Sequence, residues 1–313
     1  MRRLYKAQFR HAQYYESILR QANLQYAKGG DAISRALGVF DIEEENIRQA
    51  QVWAASHWQA DKAIVQLCSD FPDFGTYVID LRFSPGERIA WRETGLAAAR
   101  KLNKKAAIAA HLGNLGLAYN DAGDTEKALA FHNQALTIFR EIEDQYGESQ
   151  TLNNLGLVYL HLAEYQKATE YFDQALILTE ILQDKEQQAS VLSNYGNANK
   201  NQGNFRNAIR QLEMALEIIA TAGDRRGQAN ILGELGLCYA EIGELDKAIE
   251  YHKQALALFR ELRDVRSEGK TLGNLGAALR ASGEVEQAIE CYKPALEILR
   301  LFGNQREQAA ALG

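Results

Sequence analysis

The sequence predicts an all-α solenoid, a stack of antiparallel helix pairs with a helical extension at its N-terminal side. Three observations carry that prediction. Gly116, Gly156, Gly196, Gly236 and Gly276 recur every 40 residues. Ala128, Ala168, Ala208, Ala248 and Ala288 keep the same step, as do Leu136, Leu176, Leu216, Leu256 and Leu296. A period of this length marks units that bury their apolar sides only against their neighbours. Finally, a hydrophobic content of 46% supplies a continuous core, and only three prolines in 313 residues leave long stretches free to be helical.

Residues 149–188 show how one unit works. In its first half, Leu152, Leu155, Gly156 and Tyr159 are spaced three and four apart and make one apolar helical face. Ala168, Phe172, Ala175, Leu176 and Thr179 do the same in the second half. Between the halves the other units carry Gly123, Gly203, Gly243 and Gly283, suited to end a helix in the left-handed conformation. Ala163 stands in that place here, so a tighter or strained turn is expected. Asp144, Asp184, Asp224 and Asp264 recur at the far junction, where a short polar residue can turn the chain and cap the next helix. Each unit therefore reads as a helical hairpin.

The mid-helix glycines cost about 0.5–1 kcal/mol each relative to alanine, so close packing must return something at those points. The Ala128 series is expected to supply the matching small surface on the second helix. Pro294 replaces Gln134, Gln174, Met214 and Gln254 in the last unit and removes one backbone hydrogen bond. A kink or bulge is expected near residues 290–294.

The pattern Leu115-Gly116-Leu117-Ala118-Tyr119, followed by Ala128 and then Ala135-Leu136, resembles the tetratricopeptide repeat, with five successive matches. The 40-residue unit and the Asn-Leu-Gly core are similar to the subclass found in kinesin light chains, Leu-Gly-Asn polarity adaptors and bacterial signalling ATPases. The resemblance implies a right-handed superhelical solenoid whose first helices line the concave side.

Residues 69–108 read as a worn repeat, with Leu96 one period before Leu136 and Pro85-Gly86 as the turn before its second helix. Residues 1–68 read as the extension, with helical patterns over Arg2–Tyr26 and Asp41–Trp58 separated by the Lys28-Gly29-Gly30-Asp31 break. The run from Glu43 to Trp53, with His11-Ala12-Gln13-Tyr14-Tyr15, resembles the segment that joins the nucleotide-binding region of bacterial STAND (NB-ARC-type) ATPases to their repeat arrays. A plain helical cap is the alternative. Five full repeats are expected over 109–308. Ala311-Leu312-Gly313 aligns with Thr271-Leu272-Gly273, so 309–313 is expected to start a further, truncated unit. That end would then lack the polar cap of a solenoid, and self-association through it is one expectation.

A net charge of −6 argues against nucleic acid as the main partner, because phosphate binding needs concentrated Lys and Arg. Cys68, Cys238 and Cys291 are too few and too scattered for a disulfide framework and suit a reduced, cytoplasmic protein. No apolar run approaches the roughly 18 residues of a membrane span. Gly269-Lys270-Thr271 mimics the end of a phosphate loop, but Asp264 stands where the opening glycine belongs. The histidines show no ligand spacing, and no nucleophile set can be argued from order in the chain. The sequence is read as non-catalytic, with no cofactor and no metal.

Recognition is then a matter of surface. Asn114, Asn154, Asn194 and Asn274 recur one residue before the Leu-Gly core, with Glu234 substituting once. By the resemblance these face the concave groove, where an amide can both donate to and accept from a bound peptide backbone. Setting the spacing of neighbouring helices is the competing role. In the third unit Ser190, Asn194, Asn197 and Asn201 fall on one stripe where other units carry Leu117, Leu157 and Leu237. Asn199 also replaces Tyr119, Tyr159 and Tyr239. This polar patch, flanked by Lys200, Glu234, Glu241 and Arg280, is the candidate for ligand selection. The expected function is capture of a protein or peptide segment, as the sensor or scaffold part of a larger bacterial signalling ATPase whose ATPase core is attached elsewhere. A free-standing scaffold adaptor and a self-associating structural module are the alternatives.

Overall fold

A computed structural model describes residues 2–28, 30–59 and 61–312, with the side chains of 2, 31 and 302–312 outside the description. Among the described residues every regular element is helical and there is no strand. The chain forms two compact units, Met1–Val158 and Tyr159–Gly313.

The first unit opens with α1 (Arg2–Tyr26) and α2 (Asp31–His57). They run antiparallel: Trp53 Nε1 donates to Gln8 Oε1 at 3.2 Å, and Tyr5 packs edge-on against Trp53 and His57. Helix α2 starts ten residues before the apolar rhythm suggested, directly after the Gly-Gly break. Next come α3 (Lys62–Phe74), α4 (Thr76–Arg82) and α5 (Pro85–Lys101). Pro85 is the first helical residue of α5 rather than a turn residue, and Ser84 and Glu87 cap it reciprocally. The short α4 has no counterpart in a 40-residue unit. Its Asp80 takes Arg92 Nη2 at 2.7 Å, while Arg92 Nη1 donates to the Asn114 carbonyl at 3.1 Å. Arg88, also close to Asp80, donates to Asp121 at 2.7 Å. Two buried arginines thus tie α4 and α5 to α6 (Lys105–Asp121), the first regular first helix. Removing Asp80 would strand buried charge, the costly way to break such a cluster. Helices α7 (Thr125–Glu141) and α8 (Gln145–His161) follow, and α8 carries the chain into the second unit.

The second unit holds α9 (Tyr165–Leu182), α10 (Lys185–Asn201), α11 (Phe205–Ala222), α12 (Arg225–Glu241), α13 (Leu245–Glu261), α14 (Val265–Ser282) and α15 (Val285–Leu312). Each helix packs on the next in sequence, and successive first helices α10, α12 and α14 also touch. One core runs through this unit, from Leu192, Ala208 and Leu212 through Leu235 and Ala248 to Leu275 and Ala288.

The turns follow the sequence signals. Gly123, Gly203, Gly243 and Gly283 have φ of 81°, 84°, 81° and 90°. Ala163 is forced to φ 57° at the same place, a left-handed alanine that stores strain. At the far junctions the carboxylates of Asp144, Asp184, Asp224 and Asp264 accept from the backbone N–H three residues on, at 2.9–3.1 Å. The residue just before each cap is also left-handed, including Glu143, Gln183 and Arg263.

The glycines are slots. A Cβ on Gly116 would sit 2.6 Å from the His132 ring, and one on Gly236 would sit 2.6 Å from the His252 ring. Gly196 faces Leu212 and Gly276 faces Tyr292 in the same way, at 2.7 Å. The matching surface is therefore not the Ala128 series itself, as the sequence suggested, but the bulky side chain one turn after it. The alanines let the helices close: the Ala208 carbonyl lies 3.3 Å from a Cβ built on Gly196.

One expectation fails at the C-terminal end. Helix α15 runs unbroken through Pro294 to Leu312, so no new first helix starts at 309. At the four preceding junctions an Asp carboxylate holds the turn, and Asn304 stands at the corresponding place here.

Candidate binding face

The first helices present one repeating, half-exposed face. On α10 it is made by Ser190, Asn194, Asn197 and Asn201, the first and last exposed and the middle two half-buried. On α12 the same places hold Asn230, Glu234, Leu237 and Glu241, and on α14 Lys270, Asn274, Ala277 and Ala281. Arg280 is exposed at the far end of α14. In the first unit, Asn114 on α6 and Asn154 on α8 are half-buried in the equivalent position. The predicted stripe of α10 thus shares its register and part-exposure with Glu234 and Glu241 of α12 and Asn274 of α14.

Two of the predicted residues are engaged with each other. Lys200 Nζ forms an ion pair with Glu234, joining α10 to α12 with about a fifth of each side chain exposed. Their charges are mutually neutralised rather than displayed. The nearby Cys238 is buried, and burial pushes its thiol up to about 11, so it stays neutral.

Asn199 does not belong to this face. It is buried, and its amide donates to the Tyr195 carbonyl at 3.2 Å and to Gln211 Oε1 at 2.8 Å on its own second helix. In three other units the same two places hold stacked rings: Tyr119 on Phe131, Tyr159 on Tyr171 and Tyr239 on Tyr251, all with centroids 5.3 Å apart. Each stack is covered by a lysine, Lys127, Lys167 or Lys247. The third unit exchanges both rings together for a pair of amides, so Asn199 is a packing substitution. The Oδ1 of Asn197, by contrast, is buried without a hydrogen-bond partner, an acceptor left for a further donor.

A cavity of about 80 Å³ opens between α12 and α14, and Asn230, Gly233, Glu234, Leu237, Lys270 and Asn274 line it. Sequence reasoning missed Asn230 and Lys270. The signal was present in the 40-residue column Ala110, Gln150, Ser190, Asn230, Lys270, which moves in step with the stripe. A wider hollow of about 350 Å³ lies off this face, at the turn formed by Gly203 to Asn207 and Ile242.

Slot glycines, left-handed turns and capped junctions at a fixed period define the repeat, and family models agree with it. Models described as tetratricopeptide repeat match residues 93–180 and 187–261, and 271–306. The chain belongs to the tetratricopeptide repeat family. No curated protein matches it significantly. Among solved structures, this repeat protein is similar to BtubC (BKLC) from P. vanneervenii, with a TM-score of 0.64 and 23% identity over 71% of this chain and 93% of that one. Aspartyl phosphate phosphatase F from Bacillus subtilis gives a TM-score of 0.66 at 17% identity, covering 96% of this chain and 86% of that one. The apo form of RapI gives 0.66 at 15%, covering 93% and 99%. At such identities the likeness is one of fold. Among the described residues no helix is long and apolar enough to cross a membrane.

Proposed function

We propose that the first-helix face of α10, α12 and α14 captures a protein or peptide segment, and that the protein is a non-catalytic interaction module. The observation that carries this reading is the stripe Ser190, Asn194, Asn197 and Asn201, polar throughout because Asn197 stands where Leu117, Leu157 and Leu237 stand in three other repeats. Membership of a repeat family built around exposed first-helix faces supports it. Amides suit an extended backbone, because each can donate and accept at once, and they carry no proton for acid–base chemistry at neutral pH.

Within this reading the module is the sensing or scaffold part of a larger bacterial signalling ATPase in the cytoplasm. The support is the α1–α2 hairpin, whose segments His11–Tyr15 and Glu43–Trp53 resemble the connector of STAND ATPases. Both segments are built into packing: Ala12 and Ile47 are fully buried, and Trp53 stacks on His57. Binding on the repeat face would then change how this hairpin meets an attached ATPase core.

The test is affinity for a partner segment. Replacing Asn194 and Asn197 with alanine removes amides that bond a bound backbone, each worth on the order of 1 kcal/mol. The double variant is expected to bind several-fold to about thirtyfold more weakly with unchanged helicity. Unchanged binding, together with loss of binding from substitutions on exposed positions of α11 and α13, would place the site elsewhere.

A further inference from the structure

Helix α15 carries the packing face of a repeat in a place where, among the described residues, no helix covers it. Its inner side packs on α14, where Tyr292 fills the slot at Gly276. On its outer side Ile289, Leu296 and Leu299 are 47%, 53% and 56% exposed, and Val285 is exposed beside them. One repeat earlier the same three places on α13 hold Ile249, Leu256 and Phe259, each less than a tenth exposed, where α14 packs back on α13. Three side chains at core positions of the repeat therefore face water on α15, and a contiguous apolar patch of this kind marks an interaction surface.

The charges beside this patch are unanswered in the same way. On α13, Arg260 Nε donates to Glu268 of the following helix at 2.8 Å. Arg300 is its equivalent on α15, and it has no hydrogen-bond or ion-pair partner among the described residues. Glu286, about four turns earlier, has none either. Val285, Ile289, Tyr292, Leu296 and Leu299 are spaced four, three, four and three apart, the rhythm of a coiled-coil seam. Glu286, Lys293 and Arg300 keep a spacing of seven along one flank of that seam, acidic at its start and basic from its middle onward.

That polarity says what the face accepts. Two copies of α15 laid antiparallel about residue 294 set Ile289 against Leu299 of the second copy and Tyr292 against Leu296. The same arrangement brings each Glu286 within reach of the opposite Arg300, twice over by symmetry. A parallel pair would instead place Glu286 beside Glu286 and Arg300 beside Arg300. We propose that the outer face of α15 is a homodimer interface, an antiparallel two-fold pairing with α15 of a second copy of this chain. Both helices are already ordered by α14, so association need not form them, and two heptads suffice for a dissociation constant in the micromolar range. The surface is separate from the first-helix face, and the proposal does not depend on peptide binding.

Sedimentation equilibrium of the full chain from about 1 to 200 μM tests it. The wild type is expected to move from the mass of one chain towards that of two across this range. Leu296→Glu, a change at an exposed position, should stay at the mass of one chain throughout while keeping its helicity and melting temperature. Glu286→Arg and Arg300→Glu each turn two attractions into repulsions and should weaken the dimer roughly tenfold at low salt. The double exchange Glu286→Arg/Arg300→Glu restores both pairs in the antiparallel arrangement and should recover the wild-type dissociation constant. A wild type that stays at the mass of one chain to 200 μM overturns the proposal and leaves the face to a different partner. Dimers that survive Leu296→Glu overturn it by placing self-association elsewhere. Dimers that Leu296→Glu abolishes, but that the double exchange does not rescue from the single ones, overturn the antiparallel pairing.

Discussion

Gly236→Ala is expected to destabilise the protein by about 1–3 kcal/mol, although alanine favours a helix by about 0.5–1 kcal/mol over glycine. The added methyl would lie 2.6 Å from the ring of His252, which is fully buried and cannot swing away. Overpacking therefore wins over propensity. Shortening the opposing side chain should reverse the sign: in a His252→Ala background, Gly236→Ala should be neutral or stabilising. Urea melts of the four proteins form a double-mutant cycle, and a coupling energy near zero would show that the slot plays no part in holding the hairpin together.

The histidines in these slots make stability fall on mild acidification. His132 and His252 are buried, and desolvation lowers both to about 4 from an ordinary 6.5. A base whose folded pKa is depressed leaves the unfolded state holding more protons between the two values. Stability is therefore lost as pH falls from about 6.5 towards 4 and changes no further on this account below that. The loss reaches about 2 kcal/mol per ring at pH 5 and about 3 kcal/mol when protonation is complete. Leu212 occupies the same slot opposite Gly196 and shows that an apolar residue fits there. His132→Leu/His252→Leu should accordingly be less acid-sensitive than the wild type. It should also gain at pH 7.5, because both nitrogens of His132 and Nδ1 of His252 are buried without partners. Asp70, Asp73 and Asp80 are raised by burial and act in the opposite sense in both proteins, so the difference between the two melts isolates the rings. Parallel loss of stability from pH 7.5 to pH 5 in the two proteins would refute the account.

How far the sequence could be read depended on how local each signal was. The period, the glycine turns and the aspartate caps act within a few residues, and each appears where the repeat places it. Helix α1 has the limits that its apolar rhythm predicted. What escaped were pairings across a hairpin. Gly236 meets His252, and Asn199 meets Gln211, at separations set by the turn and not by helical spacing. The Lys200–Glu234 pair joins two successive repeats, so two residues that looked like free flanking charges are engaged with each other. Helix α4 escaped for a different reason. Pro72 packs inside α3 against Gly95 and does not end the helix, which leaves the seven residues from Thr76 to form a separate short helix. On the first-helix face the stripe was legible because Asn197 stands where three other repeats place leucine. Lys270 was obscured by its chance likeness to a phosphate loop.

If a partner segment binds on the first-helix face of the second unit, a saturating partner peptide should alter hydrogen exchange of the full chain there. Added protection is expected along α10, α12 and α14, greatest from Ser190 to Asn201 and beside the cavity at Asn230 to Glu234. Exposed turns of α11 and α13 should exchange as before. Protection confined to α11, α13 or α15, with the first helices unchanged, would contradict it.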